Sequence, residues 1–143
     1  MKDNPVKRKL EQGGIALGTM VTEFATPAIL RIAASGGAEF VLLDCEHPAW
    51  SLERMRGVIA AGPPGVVPWV RVPDAEYHHV ARTLDAGAMG IMIPSCESEA
   101  EARAVVEWAK YPPVGKRGSA SRATSSSPRA SALRLRRRTR SRW

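Results

Sequence analysis

Short apolar runs alternate with amphipathic segments through residues 1–118, and glycine or proline separates most of them. The apolar runs predict strands, and apolar residues that recur every three or four positions predict helices. The predicted strands cover residues 15–20, 40–43, 66–72 and 90–93. The predicted helices cover residues 5–12, about 26–35, about 51–61, about 76–86 and 98–110.

The sequence also predicts where two helices begin and which residues of four helices face the core. Thr26 before Pro27 is typical of a helix start, and Ser51 is a typical N-cap. The residues predicted to face the core are Ala28, Ile29, Ile32 and Ala33 in the second helix, Leu52, Met55, Val58 and Ile59 in the third, Val80, Ala81 and Leu84 in the fourth, and Ala102, Val105, Val106 and Ala109 in the fifth.

The order of these elements predicts an α/β fold in which a strand-helix unit is repeated four times. Strands that are apolar on both faces indicate a parallel sheet covered by helices. The pattern leaves two closures open, a doubly wound open sheet or a (β/α)8 barrel. A barrel needs roughly 200–250 residues, so the 143 residues of this chain suffice for half of one.

Side chains that could act as acids, bases or metal ligands directly follow the predicted strands. Asp44, Glu46 and His47 come after the second strand, Arg71 ends the third, and Cys96 follows the fourth. Because the carboxyl ends of parallel strands carry the chemistry in α/β enzymes, acid, base or metal-binding groups are expected at this edge.

The positive charge of the chain is confined to its last 25 residues. Residues 1–118 hold 13 Lys and Arg against 14 Asp and Glu, a net charge of −1, whereas residues 119–143 hold eight Arg and no acidic residue. The near-neutral body gives no electrostatic reason to expect nucleic-acid binding.

Residues 119–143 lack hydrophobic periodicity, so we predict a disordered, Arg- and Ser-rich tail. One interpretation is a basic arm that binds nucleic acid or acidic lipid headgroups. We favour a second, that the reading frame is lost near Gly118, because the only basic residue of the tail is Arg whereas the body also uses Lys. We therefore expect no nucleic-acid binding by the tail.

The cysteine pattern and the N-terminus suggest a cytoplasmic protein. Cys45 and Cys96 belong to no CxxC pair, so reduced thiols are expected rather than a disulfide framework or structural zinc. No secretory h-region follows Met1, and no apolar run approaches the length of a membrane span.

Four segments, in this order and spacing, resemble the HpcH/HpaI aldolase family. They are LDCEH at 43–47, WVRVP at 69–73, LDAGAMGIMIP at 84–94 and YPPVGKRG at 111–118. The resemblance covers about residues 8–118. It implies the N-terminal half of a (β/α)8 TIM barrel of the phosphoenolpyruvate/pyruvate type, usually in a homo-oligomer.

The same resemblance implies a lyase that cleaves 4-hydroxy-2-oxo acids to pyruvate and an aldehyde. A divalent metal (Mg, Mn or Co) would chelate the pyruvate half and stabilise its enolate. His47 matches the proposed catalytic His, and Arg71 matches the arginine that contacts pyruvate. Glu46 would lie near the metal-bound water, with Asp44 beside it. A loop His and a salt bridge from Arg71 to Asp44 or Glu46 remain structural alternatives.

Asp85 matches an Asp that the family pairs with the catalytic His. The predicted topology argues against this pairing, since Asp85 ends a helix and would lie on the opposite face of the sheet from His47. A neighbouring subunit could reconcile the two positions; otherwise Asp85 is an ordinary helix-terminal residue.

One departure from the family pattern bears on activity. The family's direct metal ligands, a Glu and an Asp, come from strands after the 111–118 motif, and this chain has no acidic residue after Glu107. We therefore expect poor metal binding and slow or absent turnover. The alternatives are a half-barrel that acts only by association and a citrate-lyase-like relative.

Overall fold

The computed structural model describes residues 3–48 and 50–119. Its helices are Pro5–Glu11 (α1), Ile29–Ser35 (α2), Leu52–Ala60 (α3), Tyr77–Asp85 (α4) and Glu99–Ala109 (α5). Its strands are Gly18–Val21 (β1), Phe40–Asp44 (β2), Val67–Arg71 (β3) and Gly90–Met92 (β4). The predicted tail, apart from Ser119, lies outside the described residues.

The four strands form one parallel sheet in the order β1-β2-β3-β4. Each strand is followed by a helix, which confirms the predicted repeat of strand-helix units. Because the strands are parallel and consecutive, all four carboxyl ends lie along one edge, which we call the carboxyl edge.

The hydrophobic core lies between the sheet and its helices. Alternate residues of β2, Val41 and Leu43, are fully buried in a cluster that includes Met55 and Val58 of α3 and Val70 of β3. The alternation follows from the two-residue period of a strand. Ser51 caps α3 as predicted, since its hydroxyl accepts a hydrogen bond from the backbone N–H of Arg54 at 3.2 Å.

The second helix begins later than its sequence predicts. Residues 26–28 form a turn in which the backbone N–H of Ile29 donates to the carbonyl of Thr26, and α2 starts at Ile29 without a side-chain cap. The buried residue of α2 is Leu30, which lies against Gly62, whereas Ile32 is exposed. The predicted apolar face of this helix is therefore wrong at Ile32.

The predicted buried side of α5 is also wrong. No residue of α5 is buried, and Ala102 and Val106 are exposed. Within the described residues α5 packs mainly on α4, so only one of its flanks is covered.

The face of the sheet that is turned away from the helices is here called the inner face. Register and alternation place these residues on it: Gly18, Met20, Phe40, Leu42, Asp44, Val67, Trp69, Arg71, Gly90 and Met92. Phe40 and Trp69 pack together with ring centroids 5.2 Å apart. Glycine is needed beside each ring, because a Cβ at Gly18 or Gly90 would overlap Phe40 or Trp69.

Candidate active site

Asp44 and Arg71 meet at the carboxyl edge, where β2 and β3 end side by side in register. The Asp44 carboxylate is fully buried. It accepts two hydrogen bonds from the guanidinium, from Nε at 2.9 Å and from Nη2 at 2.8 Å. This bidentate arrangement orients the guanidinium rigidly, because both planar groups are held at two points.

The ion pair determines the protonation state of the carboxyl. The hydrogen bonds from Arg71 hold the pKa of Asp44 below its ordinary value of 3.8, and the backbone N–H of Glu46, 2.9 Å from Oδ1, acts in the same direction. Burial opposes these effects without overcoming them. The same pair raises the pKa of Arg71, so both groups are charged at neutral pH.

Glu46 and His47 extend this pair toward solvent. Nη1 of Arg71 lies 3.0 Å from Oε2 of Glu46, and Nε2 of His47 lies 3.7 Å from the same oxygen. The His47 side chain is 72% exposed. The structure therefore brings together four of the residues predicted from the sequence, and Arg71 makes ion pairs with both of its predicted acidic partners.

Cys45 lies within this cluster without taking part in its hydrogen bonds through the thiol. Its backbone N–H donates to the carbonyl of Arg71 at 2.8 Å. Burial, and secondarily the charge of Asp44, raises the pKa of its thiol to about 11. No disulfide joins Cys45, which is half-buried, and Cys96, which is exposed.

Asp85 lies far from this cluster. It is the last residue of α4, at the amino ends of the strands, and its carboxylate pairs with Arg117. Arg117 is 9% exposed and stacks over the ring of Tyr111, 4.7 Å from its centroid. Sequence reasoning missed this partner, although Arg117 stands in the 111–118 motif. The role of Asp85 in catalysis stays a prediction.

The described residues do not fit a divalent metal. They contain no group of three His, Cys, Asp or Glu side chains arranged to hold one. Both oxygens of Asp44 accept hydrogen bonds from Arg71, and Glu46 is paired with the same guanidinium. Divalent Mg and Mn require several free oxygen ligands, which this cluster does not offer.

Comparison with known proteins identifies the family. Residues 20–132 match the sequence model of the HpcH/HpaI aldolase/citrate lyase family. The chain belongs to this family. The match continues past Gly118, where the body was predicted to end; the domain boundary itself stays a prediction.

Curated relatives in the family are aldolases. The chain is 37% identical over 116 residues to the 4-hydroxy-4-methyl-2-oxoglutarate aldolase cghB of Chaetomium globosum. It is 34% identical over 119 residues to the 4-hydroxy-2-oxovalerate aldolase of Novosphingobium aromaticivorans. These alignments cover 80% of this chain and 43% and 44% of the two relatives. The chain therefore spans less than half the length of these relatives.

Solved structures of the family share the fold. The HpcH/HpaI aldolase of Desulfitobacterium hafniense has a TM-score of 0.75 and 36% identity, with 93% of this chain and 52% of that one covered. The citrate synthase SbnG has a TM-score of 0.75 and 27% identity, with 82% and 48% covered. The four strand-helix units thus correspond to the N-terminal half of a (β/α)8 barrel.

In residues 3–48 and 50–119, no helix has the length and apolarity needed to cross a membrane.

Proposed function

We propose that this chain binds the 2-oxo acid half of a 4-hydroxy-2-oxo acid and belongs to a lyase that releases pyruvate and an aldehyde. One observation carries the proposal: Asp44 holds the Arg71 guanidinium at the carboxyl edge, and some N–H donors of this guanidinium remain available to a ligand. A guanidinium has five N–H donors; two of those in Arg71 bond Asp44, and Nη1 directs a third toward Glu46 at 3.0 Å, which leaves two. The aldolase names of the curated relatives support this class of reaction.

Arg71 is the group proposed to hold the carboxylate or the enolate oxygen. Its planar fork matches two oxygens at once, which a lysine ammonium cannot do. The Asp44 carboxylate neutralises the guanidinium and sets its plane, so the orientation exists before substrate arrives. Preorganised donors of this kind stabilise charge that develops on oxygen during the reaction.

His47 is proposed to handle the proton. A neutral imidazole accepts the proton of the C4 hydroxyl, the C3–C4 bond breaks, and its electron pair moves into the enolate of pyruvate. The aldehyde leaves, and the proton held by His47 passes to C3, which completes pyruvate and restores the neutral imidazole. The 72% exposure of the His47 side chain supports this proposal, because a bound substrate could reach the imidazole. Asp85 would assist His47 only if a neighbouring subunit supplied it.

A metal is implied by the family, and when bound it would supply Lewis-acid stabilisation of the enolate. The donors of the described residues do not fit one. The proposed steps therefore rest on Arg71 and His47, and we expect slow turnover because Arg71 alone would stabilise the enolate. We also propose a cytoplasmic location, because two cysteines outside any CxxC pair are typical of a protein with reduced thiols.

The test separates binding from chemistry. Pyruvate binding is measured by NMR titration, and pyruvate release from a 4-hydroxy-2-oxo acid is followed with lactate dehydrogenase. Arg71→Lys should weaken pyruvate binding by roughly tenfold or more, since it loses the bidentate fork. Arg56→Lys, an exposed arginine of α3, is the matched control and should bind like wild type. His47→Asn should slow release and leave binding unchanged.

Three results would count against the proposal. Pyruvate that does not bind wild type, or that binds Arg71→Lys equally well, removes the role of Arg71. A His47→Asn variant that releases pyruvate at the wild-type rate removes the role of His47. Fast release that depends on added Mg²⁺, Mn²⁺ or Co²⁺ would show that a metal site exists after all.

A citrate-lyase-like activity is the second candidate, favoured by the structural likeness to the citrate synthase SbnG. Both reactions place a 2-oxo acid at the same edge, and they differ in the second substrate. Oxaloacetate that binds more tightly than pyruvate, and competes with it in wild type but not in Arg71→Lys, would favour this alternative.

A further inference from the structure

The loop that follows β1 begins beside the candidate site. β1 and β2 are parallel, and Val21 is the register partner of Leu43. Phe24 stands three residues after Val21, just as Glu46 stands three residues after Leu43. Because neighbouring parallel strands end at the same edge, the loops that carry Phe24 and Glu46 leave the sheet side by side, with His47 next along the second loop.

Two contacts hold the loop after β1 in place. The Ala25 side chain is packed in the core, with 3% of the residue exposed. The carbonyl of Ala25 accepts a hydrogen bond from Nε of Arg54 at 3.0 Å. Arg54 lies in the first turn of α3, the helix that follows His47, so this bond ties the loop after β1 to the helix after the His47 segment. We call this contact the Arg54–Ala25 clamp.

The clamp presents an aromatic side chain at the carboxyl edge. Phe24 immediately precedes Ala25, and 67% of it is exposed within the part of the chain that the structure describes. Its carbonyl accepts a hydrogen bond from the N–H of Thr26 at 2.7 Å, so the backbone is held on both sides of the ring. An apolar group bound beside this ring would remove apolar surface from water with little loss of backbone entropy.

The charges in these two loops favour a neutral group beside Phe24. Glu23, which precedes Phe24, is exposed, and Glu46 follows the neighbouring strand. A ligand with a second carboxylate at this position would be repelled by both side chains, because like charges interact unfavourably at short range. An apolar group is not repelled.

We propose that Phe24 selects the half of the substrate that leaves as the aldehyde, and that it favours 4-hydroxy-2-oxo acids whose far end is apolar. Arg54 is the positioning residue that presents the ring. This inference rests on the proposed function, in which Arg71 holds the 2-oxo acid half. The substrates in the names of two relatives differ at that far end, which is a carboxylate for cghB and a methyl group for the N. aromaticivorans aldolase.

Two-oxo acids without the 4-hydroxyl group report binding alone. Affinities of the 143-residue chain for pyruvate, 2-oxohexanoate and 2-oxoglutarate are measured by NMR titration. Wild type should bind 2-oxohexanoate more tightly than 2-oxoglutarate. Phe24→Ala should weaken binding of 2-oxohexanoate by about three- to tenfold, as expected for one apolar contact, and leave pyruvate binding unchanged. Ile15→Ala is the matched control: it removes an exposed apolar side chain that precedes β1, and all three ligands should bind it like wild type.

The clamp is tested by Arg54→Met, which removes the donor and keeps an unbranched side chain. This variant should lose preference for 2-oxohexanoate while it still binds pyruvate. In its background Phe24→Ala should have little further effect, because the two residues act through one contact. Phe24→Leu should recover part of the affinity that Phe24→Ala loses.

A spectroscopic measurement needs no variant. The chain has two phenylalanines, Phe24 and Phe40. Phe40 packs on the indole of Trp69, so its ring-current shift distinguishes its signal from that of the exposed Phe24. In ring-labelled wild type, 2-oxohexanoate should move the Phe24 signal, and pyruvate should not.

The outcomes separate this inference from the proposed function. Wild type that binds no pyruvate removes both. Pyruvate binding together with an unmoved Phe24 signal, or with 2-oxohexanoate bound equally by Phe24→Ala, overturns only the role of Phe24. Tighter binding of 2-oxoglutarate that is lost in Arg54→Met would assign the far end of the substrate to Arg54 instead. Equal losses for pyruvate and 2-oxohexanoate in Arg54→Met would show that Arg54 only supports the fold.

Discussion

Asp44 and Arg71 are register neighbours on adjacent parallel strands, and two hydrogen bonds of 2.8 and 2.9 Å join their side chains. One member is fully buried and the other reaches the surface of the sheet edge. The pair therefore contributes both to stability and to the proposed site, and substitutions can separate these contributions.

Loss of the Asp44 charge should destabilise the fold. Asp44→Asn leaves the Arg71 guanidinium beside a neutral amide in a buried position, which should lower the free energy of unfolding by about 3 kcal/mol. Glu46→Gln is the control, because its ion pair with Arg71 is partly exposed and worth about 1 kcal/mol or less. Urea denaturation measures both. Equal losses in the two variants would contradict the special position of Asp44.

The Asp44–Arg71 pair should also affect how steeply the stability of the fold decreases at acidic pH. The folded pKa of Asp44 lies below its ordinary value of 3.8, with the Arg71 hydrogen bonds as the main cause. Its contribution is therefore present above that value and disappears as pH falls through the lowered folded pKa. Urea midpoints measured from about pH 6 to about pH 3 should fall less steeply in Asp44→Asn than in wild type. The remaining slope reports other carboxylates with a lowered pKa, such as Glu39.

Gly90 is required by the aromatic ring beside it. A Cβ at this position would lie 2.7 Å from the Trp69 indole, so Gly90→Ala should cost about 1–3 kcal/mol of stability. Gly57→Ala in α3 is the matched control: its Cβ meets no heavy atom within 4 Å, and it should stabilise by about 0.5–1 kcal/mol. A double-mutant cycle with Trp69→Leu should show coupling. Additive effects would mean that the ring moves aside freely.

The two cysteines should react at different rates with a thiol reagent. Cys45 is half-buried and its thiol has a pKa of about 11, so at pH 8 only about one part in a thousand is thiolate. Cys96 is exposed and should account for the fast phase. Cys96→Ser should remove this phase and Cys45→Ser should leave it. A fast phase that persists in Cys96→Ser would show that Cys45 is more accessible than its burial indicates.

Much of the local structure follows from the sequence. Glycines, prolines and apolar periodicity predict all nine described elements, because these residues act through the backbone and over a few positions. The prediction fails at α2 and α5, where helical spacing identifies apolar residues without saying which are covered. Ile32 and Val106 are exposed because burial depends on which neighbour packs against a helix.

The sequence by itself determined the α/β repeat and placed Asp44, Glu46, His47 and Arg71 after strands, because a parallel sheet aligns its carboxyl ends. Only the tertiary structure decided that the Arg71 side chain bonds Asp44 and does not extend into solvent. This contact depends on the register between β2 and β3, which aligns the two residues. The tertiary structure also decided that Asp85 pairs with Arg117 at the opposite end of the sheet. Such contacts join residues distant in sequence, and no local pattern specifies them.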